Sequence, residues 1–331
     1  LSKGKIFALG CMGFIAVIVL VVIIGVFVAD GRLEIFGAPR VSHATVAPEN
    51  TRALLVVQPE YAGEHLSGLL GEAAQSPWLG YVMPHEIALL LSPDIRASRT
   101  GLTVFINSKR FGPVLAEAAN EMDIAGQYPS IEWDLEGMRF TGPGTLVMEG
   151  GMPMDVGAAD AIQTLWRDRS VGAPLAIDGG HFLELVLDNR DGGGYGVLAS
   201  ALRNNESAEM LSDPALGQFL SNMDLLRLHG DLASADTMDL NLRLAFRPET
   251  DEDTLSGMRL VLPFGFETFK AQLEQEYGLD LEGDLVSDGK YVTGVTIGAD
   301  APEAPSDGVP YIFTGALTLK GIQNLVEQPT P

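Results

Sequence analysis

Residues 238–246 read MDLNLRLAF, and their alternation decides the fold. Met238, Leu240, Leu242, Leu244 and Phe246 fall on one side, with Asp239, Asn241 and Arg243 on the other. Strict alternation marks a strand with one buried face, the pattern of an antiparallel sheet; a helix would repeat its apolar positions every three or four residues. Just upstream, LLRLHGDL (residues 225–232) returns through the short loop ASADT, so the two runs read as a hairpin.

The same order occurs earlier in the chain. TGLTVFIN (residues 100–107) places Leu102, Val104 and Ile106 on one side, and EIALLLS (86–92) precedes it. Upstream again, RALLVVQPEY (52–61) leads into the helical GEHLSGLLGEAA, as HFLELVLDN (181–189) leads into YGVLASALRN. Downstream, FGPVLAEAANEM (111–122) matches FGFETFKAQLEQEYG (264–278), which sets Phe266, Phe269, Leu273 and Tyr277 on one helical face. DLEG occurs at 134–137 and again at 280–283, each time opening a hairpin, with turns TGPG and SDGK. Two insertions, ESAEMLSDPALGQFLSN and DEDTLSGMRLVL, account for the longer second half. In ETDED (249–253), Thr250 with Asp253 three later reads as a helix N-cap with acids in the first turn.

At the start of the chain, residues 6–29 contain no charge. As a helix they would span about 36 Å, enough for a hydrocarbon core of about 30 Å. A secretory signal has a shorter apolar region and a small-x-small cleavage site; here Phe27 lies two before Ala29. ALGC (8–11) has the ingredients of a lipoprotein signal. However, only four residues separate Lys5 from Gly10, and the apolar run continues well beyond Cys11, so Cys11 reads as a buried helix position. A retained signal-anchor is expected. Lys3 and Lys5 precede it without an acid, which puts the N-terminus in the cytoplasm and the bulk of the chain in the periplasm of a bacterial inner membrane.

The expected fold class is therefore α+β: a single N-terminal transmembrane helix followed by two tandem α+β repeats with mainly antiparallel sheets. The divisions are a cytoplasmic N-terminus (1–5), the transmembrane helix (6–29), a juxtamembrane linker (30–50), a first repeat (51–150), a linker (151–177) and a second repeat (178–298). A Pro- and acid-rich spacer with an apolar tail (299–331) closes the chain.

The chain has 21 basic and 44 acidic residues, a net charge of −23. Such a surface repels nucleic acid and anionic headgroups. Plain solubility, as in a marine or halophilic organism, explains it without a ligand. Cys11 is the only cysteine, which excludes disulfides and thiol chemistry outside the membrane.

Chemistry-bearing motifs are sparse. His85-Glu86 lacks the second histidine of a zinc-protease helix, and no pair among His43, His65, His85, His181 and His229 has metal spacing. His229, with Arg227 and Asp231, reads as a solvated strand position. DNRDGGGYG (188–196) combines acids and glycines between a strand and a helix, yet it matches neither a dinucleotide fingerprint nor a P-loop. In a calcium loop Arg190 would replace a ligand oxygen, so a flexible turn is expected. GxSxG is absent. Glu132, Asp134 and Glu136 alternate with Ile131, Trp133 and Leu135 as the outward face of a strand.

These observations point away from an enzyme and call for no cofactor or metal. The first expectation is an anchored accessory, scaffold or assembly subunit of a larger membrane complex. Its partners would be other membrane-protein subunits, reached through the transmembrane helix and the extracytoplasmic domain, with the lipid bilayer around the anchor. Possible contact residues are Trp78 and Tyr81 in a loop, and Tyr311, Ile312, Phe313, Leu317 and Leu319 in the tail. That tail could add a strand to a partner or close the protein's own sheet. The alternative is an extracytoplasmic module that holds a lipid or other hydrophobic ligand between sheet and helices. A third reading is an enzyme with an unrecognised carboxylate site.

Overall fold

The structure is a computed structural model, and it describes residues 40–69, 83–94, 98–108, 132–142, 144–154, 177–202, 222–247, 250, 252–287, 290–291 and 313–324. The expected anchor at 6–29, the helical stretch 111–122 and most of the linker at 151–177 lie outside the described residues. Among the described residues, no helix is long and apolar enough to cross a membrane.

The fold is sheet-rich α+β. Eleven strands form one antiparallel sheet: β1 (Ala53–Val57), β2 (Pro84–Asp94), β3 (Arg99–Ser108), β4 (Glu132–Gly142), β5 (Thr145–Pro153), β6 (Leu183–Asp188), β7 (Met223–Leu232), β8 (Thr237–Phe246), β9 (Asp280–Ser287), β10 (Lys290–Tyr291) and β11 (Phe313–Lys320). Their spatial order is β10-β9-β11-β8-β7-β6-β1-β2-β3-β5-β4. The described helices are α1 (His65–Leu69), α2 (Gly193–Leu202) and α3 (Glu252–Tyr277).

The two halves share this sheet. β1 and β6 pair at its centre, with Leu55 opposite Leu185. From that pair the strands run outward in the same order on both sides: β1-β2-β3-β5-β4 one way and β6-β7-β8-β11-β9 the other. In each half the final strand returns inside an earlier one: β5 lies between β4 and β3, and β11 lies between β9 and β8.

Three segments differ from the sequence reading. The return strand of the second half is β11, from the expected tail, paired with β8 on one side and β9 on the other. Residues after Asp288-Gly289 contribute only the two-residue β10. The alternation of Phe313, Gly315, Leu317 and Leu319 explains the choice: it presents the sheet's helix-covered side with an apolar ladder, and Phe313 is fully buried. Second, the stretch read as an insertion before the last helix is the first part of α3, a single 26-residue helix that runs through Pro263. Glu252 and Asp253 do occupy its first turn, where the exposed amides favour acids, but Thr250 Oγ1 makes no hydrogen bond among the described residues. Third, residues 40–50, read as linker, are packed. Val41, Val46 and Ala47, with Ile177, cover a core cluster of Leu54, Val56, Ala88, Leu90, Phe105 and Val147.

The recurring DLEG has a backbone reason. Gly283 has φ +108°, and a Cβ there would stand 2.4 Å from the Ala316 carbonyl oxygen of β11. Only glycine fits that close approach. In β4 the register with β5 shifts between Asp134 and Arg139, the interval that contains Gly137.

Candidate functional site

Alternation gives the sheet two faces of different chemistry. On the helix-covered face, two apolar clusters lie at opposite strand ends. The first joins Ala53, Leu187, Val197, Met223, Leu244, Phe246 and Phe313 to Leu255 and Met258 of α3. The second joins Phe182, Leu232, Leu279 and Ile322 to Ala62, with Leu66, Leu69 and Leu273 packed on it. α3, about 39 Å long at 1.5 Å per residue, therefore reaches from one cluster to the other.

Between the clusters runs a cross-strand row: Val104, Leu89, Leu55, Leu185, Leu228 and Leu242 on six adjacent strands. At about 4.8 Å per strand it is about 24 Å long. Leu55, Leu89, Val104, Leu185 and Leu228 belong to none of the described core clusters. Leu89 is 36% exposed and the others are half-buried. α3 is also incompletely used. Leu273 packs, but Phe269 is 48% and Tyr277 42% exposed, although the sequence puts them on one apolar face with Phe266. Lys270 ties this part of α3 to the sheet through the Gly283 carbonyl and lies over the Phe266 ring. The result is an apolar trough: a partly exposed row across six strands, bounded by a cluster at each end of the strands, with α3 joining the two clusters and lying against β9.

The opposite face carries charge in its second half. Glu184, 1% exposed, accepts hydrogen bonds from the amides of Asp178 and Gly179 at 2.9 Å. Asp178 in turn meets Arg227, His229 and Arg243. His181 stacks on His229 with ring centroids 4.5 Å apart and contacts Asp231 at 2.7 Å. His229 is thus buried, not solvated as its alternation implied, because His181 and the Asp178 loop cover it. Burial pushes the His229 ring below its ordinary value, with His181 adding to the effect. Burial also pushes the Glu184 carboxyl up, against the pull of its two amide donors.

Two further polar groups are structural. Burial would raise Glu86, but the His43 side chain and amide, with Gln58, more than reverse this and hold it below the usual carboxylate range. In DNRDGGGYG, both acids are already paired. Asp191 receives Arg52 Nε at 2.7 Å, both residues being buried, and Asp188 takes a bidentate contact from Arg190. Asn189 caps α2 by accepting the Tyr195 amide while donating to the Met223 carbonyl. The glycines allow close approach: a Cβ on Gly194 would lie 2.7 Å from the Asp188 carbonyl. The loop ties the start of β1 to the end of β6, and its acids are spent on arginines rather than on a cation. Among the described residues, no group of three or more His, Cys, Asp and Glu side chains could hold a metal ion.

Of the residues expected to contact a partner, Phe313 and Leu317 are buried in the chain's own sheet and Leu319 packs on the second cluster. Trp78, Tyr81, Tyr311 and Ile312 lie outside the described residues. Asp280 and Glu282 of the repeated DLEG are exposed, and Glu282 pairs with Lys320 at 2.6 Å. Sequence reasoning passed over Asp178 and Glu184 and read Arg227 and Arg243 as outward strand positions. The available signal was a glutamate inside the apolar run LELVL; the facing of two arginines needed the register.

No protein-family model matches the chain, and no curated protein matches it. Among solved structures, crystal form I of TP0453 aligns at a TM-score of 0.34 and 9% identity over 87% of this chain and 96% of that one. Crystal form III of TP0453 gives 0.33 and 9% over 86% and 96%. Likeness at that level carries no argument about this chain.

Proposed function

We propose that this chain is a non-catalytic, membrane-anchored module that holds the acyl chain of a lipid, or a similar hydrophobic molecule, in the trough between the two clusters. The single observation behind this reading is the half-buried row from Val104 to Leu242 lying between two well-packed clusters. A folded chain gains by burying such leucines, at roughly 25 cal/mol per Å². Leaving them half-open across six strands is costly unless something else covers them. At about 24 Å the row exceeds half of a ~30 Å hydrocarbon core, the reach of one leaflet's acyl chain. Each methylene it buries would contribute about 0.8 kcal/mol.

The uncharged residues 6–29 would anchor the module, N-terminus in the cytoplasm, with the sheet in the periplasm. The matching outward order of strands supports two tandem α+β repeats fused through β1 and β6.

The test is titration of the full chain in nanodiscs with a polyene fatty acid that fluoresces only in apolar surroundings. Saturable binding beyond that of nanodiscs carrying residues 1–32 alone supports the proposal. Leu185→Asp, which puts charge in the middle of the row, should weaken it at least tenfold. Binding equal to the anchor-only control would sink it.

A second reading, an accessory subunit of a membrane complex, keeps one specific support. β4, eleven residues long, ends the order of described strands and, among the described residues, pairs with β5 alone. Its outer edge suits strand addition by a partner. Because β11 sits inside the sheet, the docking element on this reading is β4, not the tail. A proline substituted at an outward-bonding position of β4 should abolish co-purification of a stoichiometric subunit; unchanged recovery would exclude this edge as the contact.

A further inference from the structure

Arg227 and Arg243 face each other directly across β7 and β8. Like charges in that position repel, so the pair requires an anion. His229 stands two residues along on the same face, 4% exposed. All three point at the Asp178 carboxylate: Arg227 Nη1 at 3.0 Å, His229 Nε2 at 3.2 Å and Arg243 Nη1 at 3.8 Å. Asp178 serves them unequally. Arg227 donates a hydrogen bond to it. Buried His229 Nε2 has no hydrogen-bond partner among the described residues, and Arg243 stands beyond hydrogen-bond range of it.

We propose that this nook is an oxyanion site for a phosphate group, and that the Asp178 side chain is its built-in occupant. A carboxylate offers two coplanar oxygens to three donors, whereas a tetrahedral phosphate can meet all of them. Arginine is suited to the task because its planar fork matches phosphate oxygens and stays charged. The fork of Arg243 is oriented by Asn241, which accepts from its Nε at 3.1 Å.

The architecture lets Asp178 leave without unfolding its loop. Glu184 grips the backbone amides of residues 178 and 179, not the Asp178 side chain. Gly179 and Gly180 adopt φ +79° and +89°, which only glycine holds without strain, and the Asp178 side chain is 36% exposed. Among the further acids on this face, Glu184 has its oxygens engaged by those amides, and Asp231 is engaged by His181 and the Phe182 amide. The chain's net charge of −23 supplies no long-range attraction, so affinity must come from the local donors. The nook lies on the opposite face from the trough, and its success or failure is independent of ligand binding there.

Isothermal titration of the full chain in mild detergent tests this, with inorganic phosphate in one arm and dispersed short-chain phosphatidic acid in the other. Asp178→Ala should bind one phosphate per chain at least tenfold more tightly than wild type. Adding Arg227→Gln should remove at least tenfold of that affinity. Saturation by inorganic phosphate assigns a free phosphate group; saturation by phosphatidic acid alone assigns a lipid headgroup. As a check that needs no variant, phosphate added to wild type should shift the His229 ring nitrogens saturably and leave those of His65 in place. The proposal is overturned if folded Asp178→Ala binds neither compound, if Arg227→Gln leaves binding undiminished, or if the His229 ring does not respond.

Discussion

Leu54 and Glu184 occupy matching places, each one residue before the central Leu55–Leu185 pair and each almost fully buried on the same face of the sheet. One step further out the correspondence continues: Ala88 matches Arg227, Leu90 matches His229, and Phe105 matches Arg243. In the first half these positions form a closed apolar cluster under Val41, Val46, Ala47 and Ile177. In the second they form a charged nook under residues 178–181. Backbone geometry is shared; the covering segment differs. An apolar cover makes the surface beneath it core, while a loop that offers amides and a carboxylate makes it a polar site. One half of the sheet buries this face as apolar core, and the other uses it to hold buried charge.

The sharpest way to break this comparison is to carry the second half's chemistry into the first. Leu54→Glu puts a carboxylate among Val56, Leu90 and Phe105 with no amide donors above it. A loss of about 4–5 kcal/mol or more is expected in chemical denaturation, because an unpaired buried charge belongs to the most severe class of substitutions. A loss under about 1 kcal/mol would show that the first-half cover can also satisfy a charge. Next in size, Arg52→Ala strands Asp191 and should cost about 3–5 kcal/mol, since breaking a buried pair leaves an uncompensated ion. This sharpens the role of the glycine-rich loop as the joint between halves.

The reverse exchange, Glu184→Leu, should cost less, about 1–3 kcal/mol, the penalty for leaving the amides of Asp178 and Gly179 without their acceptor. A gain in stability would mean that the second-half charges are held purely for function. The smallest effect concerns pH. The folded value of His229 is depressed, chiefly by burial. The unfolded ring therefore takes up its proton first as pH falls. Its contribution is intact above about pH 6.5 and is lost as pH falls through the folded value. Wild-type stability should decline from about pH 7 toward 5, and His229→Gln should flatten that slope. Glu184 acts in the opposite sense: its value is raised by burial, so its contribution is full below about pH 4.3 and diminishes as pH rises through the folded value.

Much of the fold was legible because strand periodicity is local. MDLNLRLAF and its hairpin partner announce β8 and β7, and the parallel order of elements anticipates the matching halves. What stayed hidden depends on pairing between distant segments. Nothing in residues 313–320 says that they slip between β8 and β9, because an isolated alternating strand fits any open edge. Arg227 and Arg243 look like ordinary outward positions until the register sets them face to face. His229 reads as exposed because its cover, His181 and the Asp178 loop, arrives from the stretch just before β6, some fifty residues away in sequence. The trough was invisible for the same reason: leucines at 55, 89, 185 and 228 are what a core strand requires, and only their shared level between two clusters sets them apart.

The most direct test of the account is organic extraction of the full chain after purification from native membranes in mild detergent, with the extract read by mass spectrometry. One acyl-chain-bearing molecule per protein is expected, enriched over bulk membrane lipid and lost in Leu185→Asp. An extract that merely mirrors the bulk lipid, in equal amount for wild type and Leu185→Asp, would contradict it.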